Sequence, residues 1–108
     1  MNRGEVRWYT FKAPDKRRPV LILTRDSAIG LLNAITIAPI TSTVRDIPTE
    51  AYLTPADGVQ VACAVNLDNI QTVPKVNLGP LITTLSSARM AEVEHALSFA
   101  LGFDSPLF

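Results

Sequence analysis

Two polar clusters in the 108-residue sequence carry side chains suited to gripping phosphate. Lys16, Arg17 and Arg18 stand directly before Pro19 and the apolar run "VLIL", and Thr41, Ser42 and Thr43 follow "AITIAPI", with Arg45 just beyond. A guanidinium fork binds two phosphate oxygens at once, and hydroxyls add neutral donors. Trp8, Tyr9 and Phe11 in "EVRWYTF" offer stacking faces to unpaired bases, each stack being worth roughly 1–3 kcal/mol. Asp68 supplies a carboxylate further along the chain. Each feature also has an ordinary reading. Cationic turns are commonly just solvated, and Thr-Ser-Thr after a strand is commonly turn chemistry. Alternating aromatics usually belong to the core, and an aspartate beside a turn usually caps it. Residue types alone do not choose.

Several chemistries drop out. Cys63 and His95 are the sole cysteine and histidine, too few for a usual zinc site and without an internal disulfide, as suits a reducing cytosol. There is no Gly-rich phosphate loop, dinucleotide fingerprint or G-x-S-x-G elbow. His95 falls on an expected helix surface. No cofactor and no metal are therefore expected. The apolar runs are too short to cross a bilayer, and the N-terminus shows no secretory pattern, so a cytoplasmic protein without a membrane partner is expected.

The clusters need a scaffold. With 47% hydrophobic residues the chain is expected to fold as one domain over residues 1–108. Net charge is zero, yet residues 1–45 hold eight cations against three acids and residues 46–108 two against seven, or +5 and −5. "EVRWYTF" reads as a first strand, and "PVLIL" as a strand buried on both faces with Pro19 at its start. "RDSAIGLLN" is a loop or short helical turn, and "AITIAPI" is the next strand. "TEAYL" and "VACAVNL" flank Asp57-Gly58, a hairpin-turn signal. In the second of these, Val61, Cys63, Val65 and Leu67 share one face, which leaves Asn66 and Asp68 on the other. "NIQTV" continues the strand pattern, and turn residues Pro74, Asn77, Gly79 and Pro80 follow. After an N-cap at Ser86 or Ser87, Met90, Val93, Leu97, Ala100 and Leu101 mark an amphipathic helix that stops at Gly102. The expected fold is mainly β: a small curled or barrel-like sheet with a C-terminal helix packed on it. Antiparallel neighbours would bring the two clusters to one end of that sheet.

Taken in order, "RGEV", "RPVLIL", "APITST" with "RDIPTE", "VNLDNIQTV" and "LSSARMAEVEHAL" resemble the successive blocks of the MazF/PemK toxin family, from Arg3 to Leu101. The resemblance implies an SH3-like β-barrel acting as a homodimer. It implies a metal-independent ribonuclease that cuts single-stranded RNA and is neutralised by a cognate MazE-like antitoxin. Arg18 matches the family's arginine in Arg-Pro, and Thr41 its threonine two places after the proline, the pair used in catalysis. Asp68 matches a position that is usually acidic, and Asn69 stands where many members have glutamine. Asn66 replaces an arginine found in some relatives. "KAPDKR" is shorter than the loop of many members and lacks its glycine. Trp8, Phe11, Lys16, Arg17, Ser42, Thr43, Asp68 and Asn69 are the expected RNA contacts.

The implied reaction is attack of a 2′-hydroxyl on phosphorus, leaving a 2′,3′-cyclic phosphate or 3′-phosphate and a 5′-hydroxyl. Arginine is a poor base, and Asp68 is a guess for that role. Two rival readings share the fold. One is a toxin resembling CcdB that acts on DNA gyrase through a C-terminal tryptophan motif, although this chain ends "DSPLF" and its tryptophan is Trp8. The other is a plain SH3-like interaction module.

Overall fold

The computed structural model describes residues 1–12 and 16–104. The remainder of "KAPDKR" (residues 13–15) and the tail 105–108 lie outside the described residues, so the expectations for the shortened loop and for most of "DSPLF" do too. The described chain forms β1 (Glu5–Phe11), β2 (Lys16–Ile22), the short α1 (Asp26–Ile29), β3 (Ala34–Thr41), β4 (Glu50–Leu53), β5 (Cys63–Asn66), β6 (Gln71–Pro74), β7 (Leu81–Thr84) and α2 (Ser87–Leu101). All strand pairs are antiparallel. The path across the sheet is β4-β5-β3-β2-β1-β7, with β6 also on β3. The expected mainly β fold with a C-terminal helix is what the chain adopts.

The central strands are apolar on both sides because both sides are covered. Leu21, Ala38 and Ile40 join Val6, Leu53, Val65 and Val93 in one buried cluster, while Val20, Ile22, Ile35 and Ile37 join Val73 in another. Helix α2 closes the first cluster with Val93 and Ala96, capped by Ser86 Oγ accepting from Arg89 N and ended by Gly102 at φ 77°. Leu101, expected on that apolar face, is instead exposed, while Leu97 and Ala100 pack against the cluster.

Three further expectations change. Strand β2 begins at Lys16 rather than at Pro19, because pairing with β1 (Thr10↔Arg17, Phe11↔Lys16) carries the ladder into the cationic residues. Residues 54–62 link β4 to β5 in place of a two-residue hairpin. Pro55 starts a 3-10 turn, and Thr54 with Asp57 forms a capping box that holds it. Val61 therefore lies outside β5 and is exposed. Strand β7, "LITT", was not expected; it is four residues long and half-exposed, with no clean alternation to betray it.

Two prolines shape the region between β2 and β3. Thr36 turns both its N–H (to Thr24 Oγ1, 2.8 Å) and its C=O (accepting from Leu23 N, 2.9 Å) toward β2. By alternation, Pro39 turns its missing N–H to the other side. There the partner chain departs from the ladder: Ile37 pairs with Gln71 and Ile40 with Val65, so three extra residues intervene, folded as the 3-10 turn Leu67–Asn69. Pro39 thus sits where no ladder bond is needed. The same alternation aims the nitrogen of Pro19 at β3, and the β2–β3 pairing stops at the neighbouring Val20↔Pro39.

The 54–62 link is tied to α2 by charge. Asp57 accepts from Arg89 Nε at 2.9 Å and from Thr54 N at 2.8 Å, and Arg89 also reaches Glu92. The Arg89 hydrogen bond first, and then the Thr54 N–H, hold the Asp57 carboxyl below the usual carboxylate range. A depressed folded value means that this stabilisation is complete above the unfolded value, about 4, and disappears as pH falls through the folded one. Urea midpoints should therefore converge for wild type and Asp57→Asn as pH drops from 6 toward 2, with wild type the more stable above about pH 4. Parallel curves would count against the pair.

Candidate active site

Beyond Val20↔Pro39 the β2–β3 register, carried two residues further, brings Arg18 level with Thr41. Because Pro19 cannot extend the ladder toward β3, the strands face each other there across an opening. Cavities of about 480 and 500 Å³ lie at this opening, and Lys16, Arg18, Thr41 and Thr43 line both. Trp8, Arg17 and Ser42 line the first, and Phe11 and Asn69 the second. Nine of the ten expected site residues thus gather in one region. Asp68 lines neither cavity: its carboxylate accepts from Thr49 Oγ1 at 2.6 Å, and its N–H donates to Asn66 Oδ1.

The local chemistry is specific. Thr41 Oγ1 accepts from Thr43 N at 3.1 Å, which orients the hydroxyl and leaves its proton available to a ligand. Arg18 is half-buried and, among the described residues, makes no ion pair or side-chain hydrogen bond. Strand alternation puts Arg17 on the opposite face, where its guanidinium carbon lies 4.3 Å from the centroid of Trp8. The indole face expected to receive a base is therefore already capped by a cation, and a base arriving there would meet the guanidinium plane. Phe11 packs edge-on against Tyr9 at 4.9 Å and against the second core cluster, so it is a rim residue with a structural share.

Residues outside the expected contacts complete the walls. Arg45, Glu50, Asn66 and Gln71 line the second cavity, and Val59, Gln60, Val61, Cys63 and Ile82 the first. Glu50 pairs with Asn66 across β4 and β5, and its Oε1 accepts from Arg45 N at 2.9 Å through a turn containing Asp46 at φ 54°. The signal available was the short "RDIPTE" run, in which an arginine and a glutamate flank turn residues. Among the described residues, Lys16, Arg17, Arg18 and Arg45 give the two walls four cations against the single acid Glu50. Four of the eight cations of the first half of the chain are thus found here. Burial pushes the Cys63 thiol up, with the Asp57 charge adding to the effect, so it stays protonated. Among the described residues no group of three or more His, Cys, Asp or Glu is placed to hold a metal ion.

Known proteins share this arrangement of chain. The Mycobacterium tuberculosis protein named endoribonuclease MazF3 is 43% identical over 88 residues, covering 82% of each chain. The probable endoribonuclease MazF2 of the same species is 38% identical over 103 residues, 94% of this chain and 99% of that protein. Among solved structures, the M. tuberculosis toxin MazF-mt6 superposes with a TM-score of 0.83 at 34% identity, covering 91% of this chain and 96% of its own. A mycobacterial endoribonuclease in complex with its cognate antitoxin gives a TM-score of 0.85 at 30% identity, covering 98% and 99%. Residues 2–101 match the family described as PemK-like, MazF-like toxin of type II toxin-antitoxin system, and the chain belongs to that family.

Proposed function

We propose that this chain is the endoribonuclease toxin of a type II pair, cutting single-stranded RNA at short sequences without a metal ion, with Arg18 and Thr41 at the scissile phosphate. The observation that carries the reading is the placement of these two residues, distant in sequence, on the shared lip of two cation-lined cavities. As the 2′-oxygen attacks, charge builds on the non-bridging oxygens. The Arg18 fork and the Thr41 hydroxyl are preorganised donors for it. Lys16, Arg17 and Arg45 draw in the flanking phosphates. The products are a 2′,3′-cyclic phosphate, or its opened 3′-phosphate, and a 5′-hydroxyl. Cutting messenger RNA in this way would stop translation and growth.

A MazE-like antitoxin is the expected neutraliser, by analogy with the similar endoribonuclease solved with its cognate antitoxin. A homodimer is supported by apolar side chains left exposed, including Tyr52, Phe99 and Leu101. No helix among the described residues is long and apolar enough to cross a membrane. A substrate of cellular RNA places the work in the cytoplasm.

Purified protein incubated with a long single-stranded RNA in EDTA should cut it at a short recurring sequence. The new 5′ ends should accept phosphate from polynucleotide kinase without prior phosphatase treatment. Ends blocked to the kinase, or cleavage abolished by EDTA, would contradict the proposal.

A further inference from the structure

We propose that Glu50 is the proton acceptor for the attacking 2′-hydroxyl, an inference that rests on the ribonuclease reading above. That reaction needs a base, and the cleft contains few groups able to serve. Arginine is permanently protonated, and burial keeps the Cys63 thiol protonated. Asp68 and His95 line neither cavity. Glu50 is the one carboxylate among the described residues of the two walls.

Strand register places it suitably. Thr41 pairs with Ala64 on β5, and Glu50 pairs with Asn66 two residues along, so Thr41, Ala64, Asn66 and Glu50 share one face of the sheet. The backbones of β3 and β4 are two strand spacings apart, about 10 Å. On that face the Asn66 side chain, level with Glu50, and the fully buried Ala64 lie between them. Thr41, Arg18 and Glu50 line one cavity of about 500 Å³, which takes a sugar–phosphate unit with its phosphate toward Thr41 and Arg18 and its ribose toward Glu50. The hydrogen bond from Arg45 N to Oε1 fixes the carboxylate, and Oε2 accepts no hydrogen bond from any described residue.

The step balances. Glu50 takes the 2′-hydroxyl proton as the 2′-oxygen bonds to phosphorus, the bond from phosphorus to the 5′-oxygen breaks, and that oxygen takes a proton from solvent. Glu50 then returns its proton to water. The charged groups around Glu50 are Lys16 and Arg18 of the same cavity, Arg45 beside it, and Glu92 and His95 of α2 along the groove on its other side. Asp68 is held by the adjacent Thr49.

The test is Glu50→Gln, whose amide oxygen can still accept from Arg45 N. Single-turnover cleavage should fall by about 10²–10⁴-fold. Affinity for a 2′-deoxy-blocked oligonucleotide should not fall, and the acidic limb of the pH–rate profile should vanish. With a 5′-bridging sulfur in the substrate, which leaves without an acid, the deficit should persist. Wild-type rates in the variant would overturn the proposal. So would a deficit rescued by the sulfur substrate, or one with an unaltered pH profile. Failure of wild type itself to cut RNA would instead remove the ribonuclease reading, so the two failures are separable.

Discussion

Arg18→Ala is expected to cleave single-stranded RNA about 10²–10³-fold more slowly than wild type while folding normally. The side chain lies half-buried on the cleft lip and supports no ion pair among the described residues, so its removal strands no partner. Arg18→Lys keeps the charge but loses the planar two-donor fork, and should recover only part of the rate. Thr41→Val, nearly isosteric, removes the hydroxyl and should cost a similar factor. The Thr43 N–H that it leaves unbonded is exposed to water, so stability should change little. If both groups serve the same developing charge, as proposed, the double variant should be less impaired than the product of the two single factors. Single-turnover rates with melting temperatures measure this directly. Undiminished cleavage by Arg18→Ala would remove the arginine from the mechanism.

The largest effect on stability is expected at Gly58. Its φ is 96°, a conformation in which a side chain is strained, and a Cβ there would come 2.7 Å from Thr83 Cβ and closer still to Thr83 Oγ1. Thr83 cannot retreat. It is paired to Val6 in the β1–β7 ladder, and its hydroxyl donates to Asp57 O at 3.0 Å. Left-handed strain of roughly 1–2 kcal/mol joins overpacking of roughly 1–3 kcal/mol, so Gly58→Ala should lose about 2–5 kcal/mol. For a chain of this size that lowers Tm by at least about 8 °C. Gly30→Ala is the control: Gly30 has φ −69° and ψ −19°, and nothing lies within 4 Å of its added Cβ. That change should be neutral or stabilising by about 0.4–1 kcal/mol. Equal losses at the two glycines would show that crowding against Thr83 is not the cause.

Much of the fold was legible because burial leaves periodic marks. The continuous apolar run in β2 announced cover on both faces, and Ser86 and Gly102 bracketed α2. Strand β7 left no such mark, since its exposure follows from sitting at the sheet edge against β1. Within the site, Arg18 and Thr41 could be paired in advance by the resemblance and by antiparallel adjacency. The separation of Arg17 from Arg18 onto opposite faces could not, because it depends on β2 starting at Lys16. The setting of Asp68 was equally hidden, being decided by the hydroxyl of Thr49, nineteen residues away.

The ladder that aligns Arg18 with Thr41 runs along one flank of β3, and the excursion at Leu67–Asn69 interrupts the other flank, opposite Pro39. Residues can be gained, lost or exchanged in that excursion without sliding β2 past β3. The wall bearing Asn69 is therefore free to diversify over generations while the pair at the lip stays fixed. A lineage could change which RNA letters it accepts and keep its cutting apparatus intact.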